Sequence, residues 1–145
     1  MVNAVDLRLP TTWDTGKSSG TKSNIKWVAK LGSRSYGGPI VAGGKIYIGT
    51  NNEAPRNSRD TDPKKLHPVT KKPVPVDKGI LMCFDEADGR FLWQHVNDKL
   101  PSGQVNDWPR EGVVSSPWVE GDRLYYVSNR CEVVCLDANG LADGN

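Results

Sequence analysis

Short runs in which apolar and polar residues alternate, separated by glycine-containing turns, occupy most of this 145-residue chain. Alternation with a period of two is typical of strands that bury one face, and no window of helical length carries an apolar stripe. The pattern therefore predicts an all-β fold. We expect strands at about 25–30, 37–42, 45–50, 79–84, 90–96, 112–119, 123–128 and 132–137.

Two parts of the strand pattern occur twice in the same order. Residues 39–47 (PIVAGGKIY) return 78 positions later as residues 117–125 (PWVEGDRLY). Residues 83–89 (CFDEADG) return more loosely as residues 135–140 (CLDANG) after a shift of only 52 positions. The first copy therefore contains an insertion, and without it the unit is about 50 residues long, the size of a four-stranded propeller blade.

The insertion, residues 52–78, is broken by prolines and has almost no apolar content. It is predicted to be a long, partly mobile surface loop outside the strand pairing. A second long loop falls within residues 97–112 and contains Trp108-Pro109-Arg110. We divide the chain into an irregular, polar lead-in at residues 1–24 and the repeated β units at residues 25–145.

Charge and cysteine content exclude several classes of function. A net charge of +2 is too small to indicate a nucleic acid or a membrane surface as partner, and no apolar run is long enough to span a bilayer. Three cysteines cannot all pair. Cys83 and Cys135 occupy matching strand positions, so we expect both to be buried, whereas Cys131 falls at a turn and should be exposed.

The segment around Cys83 resembles the tryptophan-docking motif of pyrroloquinoline-quinone (PQQ) type propeller repeats, Ala-x-Asp-x-x-Thr-Gly-x-x-x-Trp. Asp85, Gly89 and Trp93 match this motif in register, while Cys83 stands in place of Ala and Asp88 in place of Thr. The family's preceding hairpin is similar to residues 37–49 and 115–127 of this chain.

The second copy of the motif is less complete. Asp137 and Gly140 repeat its first half, but Gly140 comes one residue early, and no matching Trp follows within the given sequence. Trp27 resembles the Trp that closes a preceding repeat.

The resemblance implies a partial β-propeller of about two and a half four-stranded antiparallel blades, within a longer exported or periplasmic protein. Asp85, Gly89, Trp93, Asp137 and Gly140 are then structural docking residues. A Trp at the end of an outer strand packs its ring against the turn of the next blade, which is a stronger interpretation than cofactor stacking.

The predicted role is a non-catalytic scaffold or protein-interaction module whose partners are proteins or the remaining blades of its own parent. We expect no catalytic residue, cofactor or metal site in this segment, because Asp and Glu lack calcium-loop spacing and the two His are isolated. The alternative is part of a PQQ-dependent quinoprotein alcohol or sugar dehydrogenase whose cofactor site lies in other blades.

Two loops are candidate interaction sites. The insertion carries Arg56, Lys64 and Lys65 within a basic stretch that could meet an acidic partner, or could simply keep the loop solvated. Trp108 and Arg110 combine residue types that are common in binding hot spots, although Trp108 could instead pack onto the sheet beneath it.

Overall fold

A computed structural model of the chain describes residues 10–16, 20, 22–102 and 107–140. Within these ranges the fold is all-β, with no α-helix and one short 3₁₀ helix at Ser58–Asp60. The strands are β1 (Asp14–Thr15), β2 (Lys22–Ser23), β3 (Ile40–Ala42), β4 (Lys45–Asn51), β5 (Thr61–Leu66), β6 (Pro73–Pro75), β7 (Lys78–Asp85), β8 (Phe91–Asp98), β9 (Trp118–Glu120), β10 (Arg123–Val127) and β11 (Val133–Asp137).

Two antiparallel sheets carry the repeated units. The first sheet has the order β3-β4-β7-β8, and the second has three strands in the order β11-β10-β9. Within each of these sheets the strands pair in the order in which they occur along the chain, and β5 and β6 fall between the paired strands β4 and β7. Two-stranded sheets form from β1 with β2 and from β5 with β6. The predicted all-β class is confirmed, while the closed or partial propeller stays a prediction.

Two predicted strands differ from the structure. Residues 25–30 pair with no strand of the described part of the chain, although their side chains alternate between half-buried and exposed. Of the strand predicted at 112–119, only its end is paired, in β9. The earlier part lies against the first sheet, where the Val113 amide donates to the Thr50 carbonyl at 3.2 Å.

The lead-in is less irregular than predicted, because β1 and β2 pair within it. Its residues 1–9, 17–19 and 21 lie outside the described part of the chain, as do residues 103–106 and 141–145.

The insertion has more structure than a loop. It contains the 3₁₀ helix and the β5–β6 hairpin, so the prediction of a long surface loop was wrong in that the segment has secondary structure of its own. The hairpin is nevertheless a separate sheet. Polar contacts fix its base: the Asn52 side-chain amide donates to the backbone carbonyls of Asp60 and Val76 at 2.9 and 2.8 Å.

A buried carboxylate also anchors the insertion. The side chain of Asp60 is almost fully buried, and its Oδ1 lies 3.3 Å from Nζ of Lys78, which also lies 3.1 Å from the Asp98 carboxylate. Burial works against the charge on Lys78, but hydrogen bonds and charge attraction from Asp98 and Asp60 outweigh it and raise its pKa. An ion pair of this kind needs no apolar pattern, so alternation of apolar residues does not predict the structure of the insertion.

The main core lies between the two sheets. It is built from Tyr47, Leu81 and Cys83 of the first sheet and from Leu124 and Tyr126 of the second. A smaller cluster covers the opposite face of the first sheet. It contains Ile80, Met82 and Phe84, with Ala29 and Leu31 of the unpaired segment packed against them. The first sheet is therefore covered on both faces.

A buried hydrogen-bond chain crosses between the sheets. Tyr126 Oη donates to Asn97 Oδ1 at 3.0 Å, so its single proton is used there. His95 Nδ1 lies 2.7 Å from the same hydroxyl and must then be the donor to it. Burial lowers the pKa of His95 below its ordinary value. The neutral ring, protonated on Nδ1, is therefore the form that this chain accommodates.

This arrangement predicts that stability falls on mild acidification. The unfolded state binds a proton at His95 near pH 6.5, whereas the folded state binds it only at lower pH, so the free energy of unfolding declines as pH drops below about 6.5. Urea denaturation between pH 7.5 and 5 measures this decline, and His95→Gln should remove the part due to this residue. His67→Gln, which removes the other histidine, is the control and should retain that part; an unchanged decline in His95→Gln would contradict the assignment.

Candidate functional site

Gly89 ends the turn between β7 and β8 and lies directly under the ring of Trp27. Its φ is +74°, and the turn is closed by a 2.9 Å bond from its amide to the Asp85 carbonyl. A Cβ added at Gly89 would come within 2.4 Å of the Trp27 ring. Trp27 Nε1 donates to the Glu86 carbonyl at 2.9 Å. Only glycine allows both this backbone conformation and this approach.

The same contact recurs one sheet further along the chain. Gly140 has a φ of +72°, and a Cβ there would come within 2.6 Å of the Trp93 ring. Asp137 Oδ1 accepts from the Asn139 amide in this turn, as Asp85 Oδ1 accepts from the Ala87 amide in the first. All five docking residues of the sequence prediction thus lie in two matching contacts. In the contact between Trp93 and Gly140, the buried Trp93 Nε1 has no hydrogen-bond acceptor among the described residues.

Equivalent residues of the two sheets have opposite environments. Leu81 in β7 is fully buried, whereas Val133, which matches it after the shift of 52 residues, is 78% exposed. Trp118 on the same face of the second sheet is 67% exposed. We call this surface, formed by Trp118, Tyr125, Val127, Val133 and Cys135, the open face of the second sheet.

The burial of the cysteines differs between the two sheets in the same way. Cys83 is buried and Cys131 exposed as predicted, but Cys135 is exposed, so the expectation that it is buried was wrong. The reason is that Cys83 is covered by the second sheet, whereas Cys135 lies on the open face. Burial raises the pKa of Cys83 to about 12, so its thiol stays protonated and unreactive at neutral pH.

The predicted interaction residues of the insertion lie in two places. Arg56 sits at its base, with its guanidinium carbon 4.3 Å from the centre of the Phe91 ring and 5.4 Å from that of Phe84. Lys64 and Lys65 are exposed on β5, and Lys65 lies 3.8 Å from the Asp62 carboxylate. The structure therefore separates Arg56 from the two lysines.

Trp108 and Arg110 belong to a loop that meets the insertion. Trp108 is 62% exposed and does not pack onto the sheet. Arg110 Nε lies 3.3 Å from the carboxylate of Glu53, and its amide donates to Asp77 Oδ2 at 2.7 Å. The two candidate loops thus share one edge of the molecule.

Two structural asparagines were missed by the sequence analysis. The Asn51 amide donates to the Arg110 carbonyl at 2.6 Å, and Asn129, its equivalent 78 residues later, donates to Asp107 Oδ2 at 2.8 Å. Asp107 is also paired with Lys99. The repeated Thr-Asn and Ser-Asn pairs after matching strands were the available signal.

Within the described ranges, no three or more His, Cys, Asp or Glu side chains are grouped so that they could hold a metal ion. The same part of the chain contains no helix with the length and apolar character needed to cross a bilayer. Comparison with protein-family models, curated proteins and solved structures finds no match to this chain.

The glycine–tryptophan contact predicts an unequal cost for two similar substitutions. Gly89→Ala and Gly43→Ala both place a Cβ on a residue with positive φ, which costs about 1–2 kcal/mol. A Cβ at Gly43 meets nothing within 4 Å, whereas at Gly89 it must displace the Trp27 ring, adding about 1–3 kcal/mol. Urea midpoints followed by tryptophan fluorescence measure both losses. Equal losses would mean that the ring is free to move away.

Proposed function

We propose that this chain supplies consecutive blades of a PQQ-like β-propeller that acts as a non-catalytic scaffold for protein binding. In this proposal the parent protein resides in the periplasm or is otherwise exported, as the family resemblance implies. The observation that carries the proposal is the way in which the two sheets pack: one face of the first unit is covered by the opposite face of the second.

The pairing of equivalent positions supports this head-to-tail order. Tyr47 and Cys83 point from the first sheet into the core, where they meet Leu124 and Tyr126 of the second. Tyr125 and Cys135, the equivalents of the first pair, lie on the open face of the second sheet instead. When unlike faces of equivalent units pack together, further units can be added without limit unless the rotation from one unit to the next closes them into a ring. The open face is then the site for another unit of the same kind.

Contacts at the first strands favour a radial arrangement. The strands β3 and β9 are neighbours, and the Gly38 amide donates to Ser116 Oγ at 2.9 Å. Gly37 and Ser115, again 78 residues apart, are so close that a Cβ on Gly37 would meet the Ser115 carbonyl oxygen at 2.5 Å. Repeats that are arranged around a central axis bring equivalent residues together at one edge in this way.

The unpaired segment 25–30 fits the same scheme. Its Trp27 contacts Gly89 as Trp93 contacts Gly140, so the segment takes the position of an outer strand from a preceding blade. The second sheet has three strands within the described residues, one fewer than the first. A segment like residues 25–30 would complete it.

A tandem chain tests this arrangement: residues 1–140 followed directly by residues 24–140. This junction places Trp27 of the second copy four residues after Gly140, the spacing between Gly89 and Trp93. The second copy should then complete the second sheet and cover its open face. Cys131 is replaced by serine in both chains, and the exposed cysteines of the second copy are replaced in the tandem. Cys135 of the first copy should then react with a thiol reagent at least about tenfold more slowly than Cys135 of the single chain.

The control is the same tandem with residues 24–30 of the second copy replaced by a Gly-Ser sequence of the same length, which lacks the tryptophan and has little tendency to form a strand. Cys135 should remain reactive in that control. Equal labelling rates in the single and tandem chains would contradict the repeat arrangement. Titration of the tandem with PQQ and Ca²⁺ tests the non-catalytic role: saturable, stoichiometric binding would favour the quinoprotein alternative, and we expect none.

A further inference from the structure

A cleft of about 650 Å³ lies where the insertion meets the unpaired segment before the first sheet. We call it the insertion cleft. Its volume is within the range of about 300–1,000 Å³ that is usual for ligand sites. Pro55, Pro73 and Pro75 give it rigid apolar walls, and Ser58, Thr61 and Thr70 contribute side chains with hydroxyl groups.

Basic side chains line this cleft without acidic partners. Lys30, Arg56 and Lys72 come from three separate segments of the chain, and in the part that the structure describes none has a carboxylate within 4.0 Å. Glu53 is the one acidic residue of the lining, and its carboxylate is paired with Arg110. The cleft therefore carries excess positive charge.

Arg56 is held in place before any ligand arrives. One of its terminal nitrogens donates to the Lys30 carbonyl at 2.7 Å, and its guanidinium stacks against Phe91. Burial lowers the pKa of Arg56, yet a guanidinium remains charged at any physiological pH. A fixed guanidinium with N–H groups to spare is suited to binding a carboxylate at low entropic cost.

His67 is also oriented by its surroundings. Its Nδ1 accepts from the amides of Val69 and Thr70, at 3.3 and 3.1 Å. In the neutral ring these bonds require the proton to be on Nε2, so His67 offers an N–H donor at that atom. The cleft thus combines three cations, one oriented ring donor and a hydroxyl-bearing rim.

We propose that the insertion cleft binds an acidic peptide segment of a partner protein. A single inorganic anion would fill a small part of the volume and could contact few of these separate groups. A chain with successive carboxylates can reach all of them and can pack its backbone against the proline walls. The inference names the partner chemistry of the interaction module proposed above, and rests on that function without depending on the stacking of repeats.

Binding of a fluorescein-labelled hexaglutamate peptide, followed by anisotropy at low salt, tests the proposal. Lys30→Glu and Lys72→Glu reverse charges at two sides of the cleft and should each weaken binding by about tenfold or more. Lys64→Glu is the matched control: it changes the net charge equally and lies on β5 outside the lining, so it should weaken binding less than about twofold. Unchanged urea midpoints show that the variants are folded.

The remaining outcomes separate the alternatives. Equal weakening by all three variants, or no saturable binding by the wild-type chain, would overturn the proposal. Displacement of the label by inorganic phosphate at lower concentration than by unlabelled hexaglutamate would show a simple anion site instead. Preferential binding to vesicles that contain phosphatidylserine would point to a membrane surface. The tandem labelling experiment is unaffected by any of these results, so failure of the cleft and failure of the repeat arrangement are distinguishable.

Discussion

Trp27 and Trp93 each place an indole ring over a glycine that ends an Asp-initiated turn, and both glycines have a positive φ. A side chain at either glycine would push the indole ring away. The close approach of each tryptophan to the turn beneath its ring therefore depends on the glycine having no Cβ. With this distance fixed, the sheets face each other closely enough to bury Tyr47, whose hydroxyl donates to the Ala138 carbonyl at 2.7 Å. Burial raises the pKa of Tyr47 to about 12, so its hydroxyl stays protonated at neutral pH and continues to donate this hydrogen bond.

The packing of unlike faces has a second consequence. Each unit that is covered on one face by the following unit has its other face turned toward whatever precedes it. The second sheet, which is the last unit described, has one apolar face uncovered. Val133 and Trp118 show the cost of this arrangement, because both are large apolar side chains in water. This exposure is what we expect if the open face is covered by a further unit, as proposed above. In the proposed arrangement, a further unit on the open face leaves the insertion cleft uncovered, because the cleft is lined by the insertion and Lys30.

How far the sequence predicts this structure depends on the kind of interaction involved. Strands β4, β8, β10 and β11 follow from local alternation and from β-branched or aromatic content, and β7 follows from a continuous apolar run. Residues 25–30 have the same alternation but no partner strand, and pairing cannot be read from one segment. Cys135 was misjudged because its equivalence to Cys83 fixes the direction of the side chain, not the presence of a covering layer. The hairpin within the insertion was not predicted, because Asp60, Lys78 and Asn52 hold the insertion through polar contacts, which leave no periodic pattern in the sequence.

Trp93 links the two sheets through its contact with Gly140, and we expect this contact to join them into one cooperative unit. Native-state hydrogen exchange of the β7 and β10 amides measures this most directly, since residues that open together share one opening free energy and one denaturant dependence. We expect shared values in the wild-type chain. In Trp93→Ala, β10 should open at lower urea concentration than β7. Separate opening energies in the wild-type chain, or unchanged β10 protection in Trp93→Ala, would contradict the account.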